Sequence, residues 1–198
     1  MGATSLLRVW VPALALAIAC AFARAETTGV ASAPAAIDFR AQFRDSLTDL
    51  PDASELSAKG TIYVPAYSRV YGAPSGAHKL IEFSTTLRID NTSATKPLVI
   101  ERIEYYDTSG RLVQSYLKAP VALRPFGAIE LVIPAEDERG GLAANFVVAW
   151  SGAGPIAQPL VEAVMIGSQD NTSYSFVSQG RPIRNIGHSL WPQFRFRF

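Results

Sequence analysis

Between residues 80 and 91 the chain alternates apolar and polar side chains: Ile81, Phe83, Thr85, Leu87 and Ile89 against Glu82, Ser84, Thr86, Arg88 and Asp90. Successive side chains of an extended strand point to opposite faces, so this stretch predicts an antiparallel strand with one face on a core and the other in water. Residues 61–71 alternate as well, Ile62, Val64, Ala66, Ser68 and Val70 against Thr61, Tyr63, Pro65, Tyr67, Arg69 and Tyr71. Pro65 has no N–H to give a ladder, which predicts a sheet edge or a bulge there. Asp90-Asn91-Thr92-Ser93 closes one strand, Pro97 opens the next, and Asp107-Thr108-Ser109-Gly110 predicts a hairpin. Further strands are predicted at 111–117, 128–133, 145–150, 160–166 and 173–177, with loops at 134–141 and 151–155. Short strands at regular spacing with no helix between them predict an all-β domain, with an immunoglobulin-like antiparallel β-sandwich as the first choice. Ahead of it, Phe39, Phe43, Leu47 and Leu50 recur at helical spacing between Asp38 and Pro51. They predict a short N-terminal amphipathic helix that packs one stripe on the domain edge.

The first residues have a different character. One positive charge, Arg8, precedes an apolar run over 9–22, too short for a stable bilayer-crossing helix. The run ends in Ala23-Arg24-Ala25, a small-x-small pattern that predicts a signal peptide cleaved after Ala25. A rival reading takes Leu16-Ala17-Ile18-Ala19-Cys20 as a lipoprotein box, with Cys20 lipidated as the new N-terminus; Ala17 stands where that box usually has Leu. Either route makes this an exported chain, periplasmic or secreted, or tethered through a lipid anchor. The expected organisation is a signal peptide at 1–25, a flexible spacer and the short helix at 26–58, the sandwich at 59–183 and a basic-aromatic tail at 184–198.

Cys20 is the only cysteine, so neither an intramolecular disulfide nor a cysteine-based metal or active site can form. Arg8 and Arg24 leave with the signal peptide while all seventeen acids stay, which turns a net charge of +1 into −1 and gives no basic field for nucleic acid. The distribution is uneven: after Asp170 come Arg181, Arg184, Arg195 and Arg197 and no acid. His78 and His188 have no partners at metal-ligand spacing, no Ser occupies a nucleophile elbow, and no cofactor is implied. Gly152 and Gly154 are followed by Pro155 rather than a helix, which excludes a phosphate-binding loop. Asn91 and Asn171 each begin an Asn-Thr-Ser glycosylation pattern, a short match that recurs by chance.

Two features are less ordinary, although packing comes first for each: the tyrosine rings as cover for the core rim on a strand edge that could also accept another strand, and the tail as a last strand docked on the sandwich. Tyr63, Tyr67 and Tyr71 share one face of a strand with Arg69, where rings could stack on a sugar or peptide. The closing Phe194, Arg195, Phe196, Arg197 and Phe198 put three aromatics on one face and two arginines on the other. Such a tail would suit a last strand, or adhesion to an anionic envelope surface.

Several stretches resemble a bacterial family catalogued as domain of unknown function 3124: residues 63–68 (Tyr-Val-Pro-Ala-Tyr-Ser), Tyr105-Tyr106-Asp107 with Gly110, Ala144-Asn145-Phe146-Val147 with Trp150, and residues 162–167 (Glu-Ala-Val-Met-Ile-Gly). The resemblance covers roughly 59–183 and implies a compact domain with an envelope address, but supplies no catalytic residues. Its motif residues read as packing: Tyr105 and Trp150 as core aromatics, Gly167 as a bulge or turn, Pro65 as a strand irregularity.

The sequence therefore predicts a non-enzymatic envelope module that binds a protein or glycan through the tyrosine edge or the tail. One alternative is a structural subunit of an envelope complex. The other is a hydrolase whose cleft would assemble Glu162, Asp107 and His78 or His188.

Overall fold

The computed structural model describes residues 38–72 and 79–183. A one-turn helix, α1 (Phe39–Gln42), leads through a 3-10 turn to the two-residue strand β1 (Leu47–Thr48). Then come β2 (Leu56–Ala66), β3 (Arg69–Tyr71), β4 (Leu80–Glu82), β5 (Ser84–Asp90), β6 (Leu98–Tyr106), β7 (Leu112–Ser115), β8 (Val121–Leu123) and β9 (Ala128–Ile133). A 3-10 turn at Glu138–Gly140 precedes β10 (Ala144–Ala153), β11 (Leu160–Gln169), β12 (Thr172–Gln179) and β13 (Arg181–Ile183).

All pairings are antiparallel. A seven-stranded sheet runs β1-β8-β6-β10-β2-β13, with β7 also beside β6; a four-stranded sheet runs β12-β11-β5-β9; β3 and β4 make a ribbon of their own. Among the described residues neither large sheet closes on itself. One apolar cluster takes Ile62, Val64, Phe146 and Val148 from the first sheet and Leu87, Ile89, Leu131 and Met165 from the second. Period-two alternation places them: in β5, Thr85, Leu87 and Ile89 are buried while Thr86 and Arg88 are not. In β6 one break in alternation comes from a bulge. Ile100 pairs with Trp150 but Arg102 with Ala149, so β6 carries one extra residue there. That shift lets Ile100 and Ile103, an odd number apart, both reach the core. Tyr105 and Trp150 are core aromatics, as their motifs implied, and the Tyr105 ring lies 5.0 Å from that of Phe146.

The N-terminal helix is shorter than its period suggested. Asp38 caps it through its Oδ1, which accepts the N–H of Arg40 and of Ala41, and Phe39 stacks on Phe43 at 5.6 Å. Phe43 already leaves helical geometry, and Leu47 is buried by pairing with Leu123 rather than by a helical stripe. Leu50 remains 46% exposed. Residues spaced i, i+4 and i+8 thus reach the same core by two kinds of backbone. Gly167 lies inside β11 opposite Tyr174, not at a turn or bulge.

The predicted signal peptide, Cys20, both histidines and the tail residues Phe194, Arg195, Phe196, Arg197 and Phe198 lie outside the described residues. Among the described residues no helix is long and apolar enough to cross a membrane.

Candidate functional site

The alternation over residues 61–71 is built as two strands, and this decides which of the predicted tyrosines meet. Residues 67 and 68 separate β2 from β3, and β3 pairs with β4 rather than continuing along the large sheet. Tyr71 therefore sits at the end of the β3–β4 ribbon, paired with Leu80 and 61% exposed, on a different strand from Tyr63. Arg69 pairs with Glu138 at 3.3 Å, and this pair ties the ribbon to the loop before β10. Tyr63 and Tyr67 do come together. With Pro65 they form one wall of an open groove of about 900 Å³, whose other wall is Val177, Ser178 and Gln179 from β12, with Gly180 and β13.

The groove exists because β13 is short. It pairs with β2 only over Arg181↔Tyr63, Pro182↔Ile62 and Ile183↔Thr61. Pro182 has no N–H, so its pair with Ile62 is of the kind that exchanges no hydrogen bonds. Tyr63 then directs its main-chain groups toward β13, and Pro65, two residues on, directs its own to the same side, past the end of β13. The proline expected at an edge is thus on an edge, though on a strand whose other flank is covered by β10. Gly180 makes the corner where the chain leaves the four-stranded sheet for the seven-stranded one. A Cβ there would stand 2.6 Å from Ile62 and 2.7 Å from the Val161 carbonyl, which accepts the Gly180 N–H at 2.8 Å.

The walls differ in rigidity and polarity. Tyr67 is half-buried, its ring 5.9 Å from Phe176, which meets Phe83 edge-on at 5.2 Å, so core aromatics hold it in place. Tyr63 is 37% exposed. Among the described residues the lining has no carboxylate, and its one cation is Arg181. Arg69, Arg88, Arg102, Arg111 and Arg139 each meet an acid, whereas among the described residues Arg181, like Arg40, Arg44 and Arg124, has no carboxylate within ion-pair distance; of these four Arg181 lines the groove. Arg181 and Pro182 were not singled out as binding residues from the sequence, although the acid-free stretch after Asp170 was the available signal.

The hydrolase candidates are differently engaged. Asp107 Oδ1 accepts the Ser109 N–H, the Ser109 hydroxyl and the Arg111 N–H at 2.9, 2.6 and 2.9 Å, which makes it the organiser of the predicted hairpin. These bonds, the Ser109 hydroxyl first, lower its pKa to about 2. Glu162 lies on the outward face of the other sheet, in register with Arg88. A second polar cluster surrounds Tyr105 and Tyr116, whose phenols burial pushes up. Arg139 there holds Asp137 at 2.7 Å and Gln114 at 3.1 Å, and lowers the Asp137 pKa. Among the described residues, no three His, Cys, Asp or Glu side chains are placed to share a metal ion.

The crystal structure of Thermotoga maritima 1070 is similar at 12% identity and a TM-score of 0.37, over 64% of this chain and 96% of that one. No curated protein matches the chain. The sequence model of the family described as "Protein of unknown function (DUF3124)" matches residues 59–183, the span that contains β3 to β13 and all but the start of β2. The chain is a member of that family.

Proposed function

We propose that this chain is a non-enzymatic module of the cell envelope that binds a protein or glycan in the groove between β2 and β12. The fold we infer for it is an immunoglobulin-like β-sandwich, supported by two antiparallel sheets that contribute to one core. Export rests on the apolar run and the Ala23-Arg24-Ala25 site, with lipidation of Cys20 as the alternative route. The observation that carries the reading is the groove itself: Tyr63 and Tyr67 beside two prolines and Arg181, with no acid among its lining residues. Amphipathic rings on a rigid base give large contact area at small entropic cost, which suits recognition rather than chemistry. The test is capture by immobilised protein from an envelope fraction and from a glycan array. Tyr63→Ala with Val177→Ser should abolish capture, while Tyr71→Ala, outside the groove, should leave it intact. Capture indifferent to the groove pair overturns the reading.

The four-stranded sheet supports a second reading, a structural subunit of an envelope complex. Val132, Thr86, Val164 and Val177 stand in register across its outward face, and Val132 and Val177 are more than half exposed. A lone monomer in native envelope extracts would count against it.

A further inference from the structure

We infer that the groove takes an acidic glycan, a chain of sugars bearing carboxylates, with Arg181 holding the carboxylate and Tyr63 covering a sugar face. This rests on the reading of the groove as a binding site and adds the class of ligand. Three observations carry it.

The first is charge. A guanidinium without an acid among the described residues, in a wall that contains no carboxylate, leaves a fork of donors matched to a planar anion. The second is the backbone. A peptide could bind an open sheet edge by adding a strand, which needs a continuous row of main-chain donors and acceptors. Pro65 withholds its N–H on the side of β2 that β13 leaves open, and Pro182 carries none on β13. That side of β2 is closed to strand addition in the way natural edges are, so along the β2 wall side chains do the recognition, while β12, an edge strand of the other sheet, carries no proline. The third is the kind of side chain present. Tyr63 offers an exposed ring, Tyr67 is fixed by Phe176, and Ser178 and Gln179 add neutral donors and acceptors. A flat apolar rim beside neutral hydrogen-bonding groups and one cation fits an acidic pyranose, which has an apolar C–H face, hydroxyls and a carboxylate.

Titration calorimetry of the purified protein with tetragalacturonate and with uncharged maltotetraose tests this. Tetragalacturonate should bind and maltotetraose should bind at least tenfold more weakly. Arg181→Ala should cost about tenfold to a hundredfold in affinity for the acid sugar, the worth of a hydrogen bond to a charged group. Arg181→Lys should restore only part of it, because the fork is lost. Arg181 is exposed, so neither variant disturbs the core. Arg44→Ala, on the N-terminal 3-10 turn and not among the groove's lining residues, should bind like the parent. The inference is overturned by equal binding of the two sugars, by no binding, or by a loss that follows Arg44 as much as Arg181. Tyr63-dependent capture of a protein, with tetragalacturonate ignored, also overturns it and leaves the binding module standing.

Discussion

Asn91 shows how much one amide can organise. It is 1% exposed, and its Nδ2 donates to the carbonyls of Lys96, Leu123 and Arg124 at 2.8, 3.1 and 3.0 Å while its Oδ1 accepts the Ser93 N–H at 2.9 Å. One side chain thereby ties the end of β5 to the end of β8. The Asn-Thr-Ser match at this position is therefore an interior knot, with no room for a glycan. Asn91→Ala should cost about 2–3 kcal/mol in urea unfolding, since buried carbonyls lose their donor. Asn91→Asp should do no better, because it faces a carboxylate toward carbonyl oxygens; a variant as stable as the parent would remove the knot from the account. Asp107 is the acid-sensitive counterpart. Its folded pKa of about 2 lies below the ordinary 3.8. The stability it contributes is therefore complete above about pH 4 and fades as pH falls toward 2. Asp107→Asn should be less stable than the parent at neutral pH, and the gap should close between about pH 4 and pH 2. Melting temperatures across that range would show it, and a gap constant with pH would mean the hairpin does not depend on the charge.

Gly167 belongs to the scale of elements, because its missing side chain lets β4 lie close to β11. A Cβ would stand 2.2 Å from the Glu82 carbonyl oxygen and 3.0 Å from the Phe83 ring. The first of these is backbone and cannot swing aside. Gly167→Ala should cost about 1–3 kcal/mol as an overpacked contact, and should raise amide exchange at Ile81 and Phe83 while β9 stays protected. Uniform exchange throughout would contradict a local wedge. The sequence put this glycine just past a predicted strand, as a bulge or turn, and did not show which carbonyl crossed it, because that carbonyl comes from another element. The same limit explains the groove. Alternation in β5 was legible because its whole pattern is local. That Tyr63 and Tyr67 meet while Tyr71 departs depends on β3 leaving the sheet for β4, and that Arg181 faces them depends on a three-residue β13. The helical spacing of Phe39, Phe43, Leu47 and Leu50 misled for a related reason: burial of Leu47 was settled by Leu123, far along the chain.

At the scale of the molecule, the two sheets depend on each other. Cys20 is the only cysteine, so no intramolecular disulfide can hold them and burial must. The apolar cluster draws on both sheets, and neighbours such as β2 and β10 or β5 and β11 are far apart in sequence. Neither sheet has a core without the other, which predicts one cooperative transition. Trp150, 5% exposed between β6 and β2, reports the core of the seven-stranded sheet. In a Trp191→Phe variant without residues 1–25, which also removes Trp10, its fluorescence should follow urea unfolding alone. That curve should superimpose on far-UV circular dichroism, which reports all strands, and reductant should shift neither. Refolding should take milliseconds to seconds, since distant strands must close long loops before their contacts form. If fluorescence changed at lower urea than circular dichroism, the seven-stranded sheet would be losing its packing while other strands persisted. The groove, whose walls come one from each sheet, would then open before the protein unfolds, and acidic-sugar binding would vanish at the first transition rather than the second.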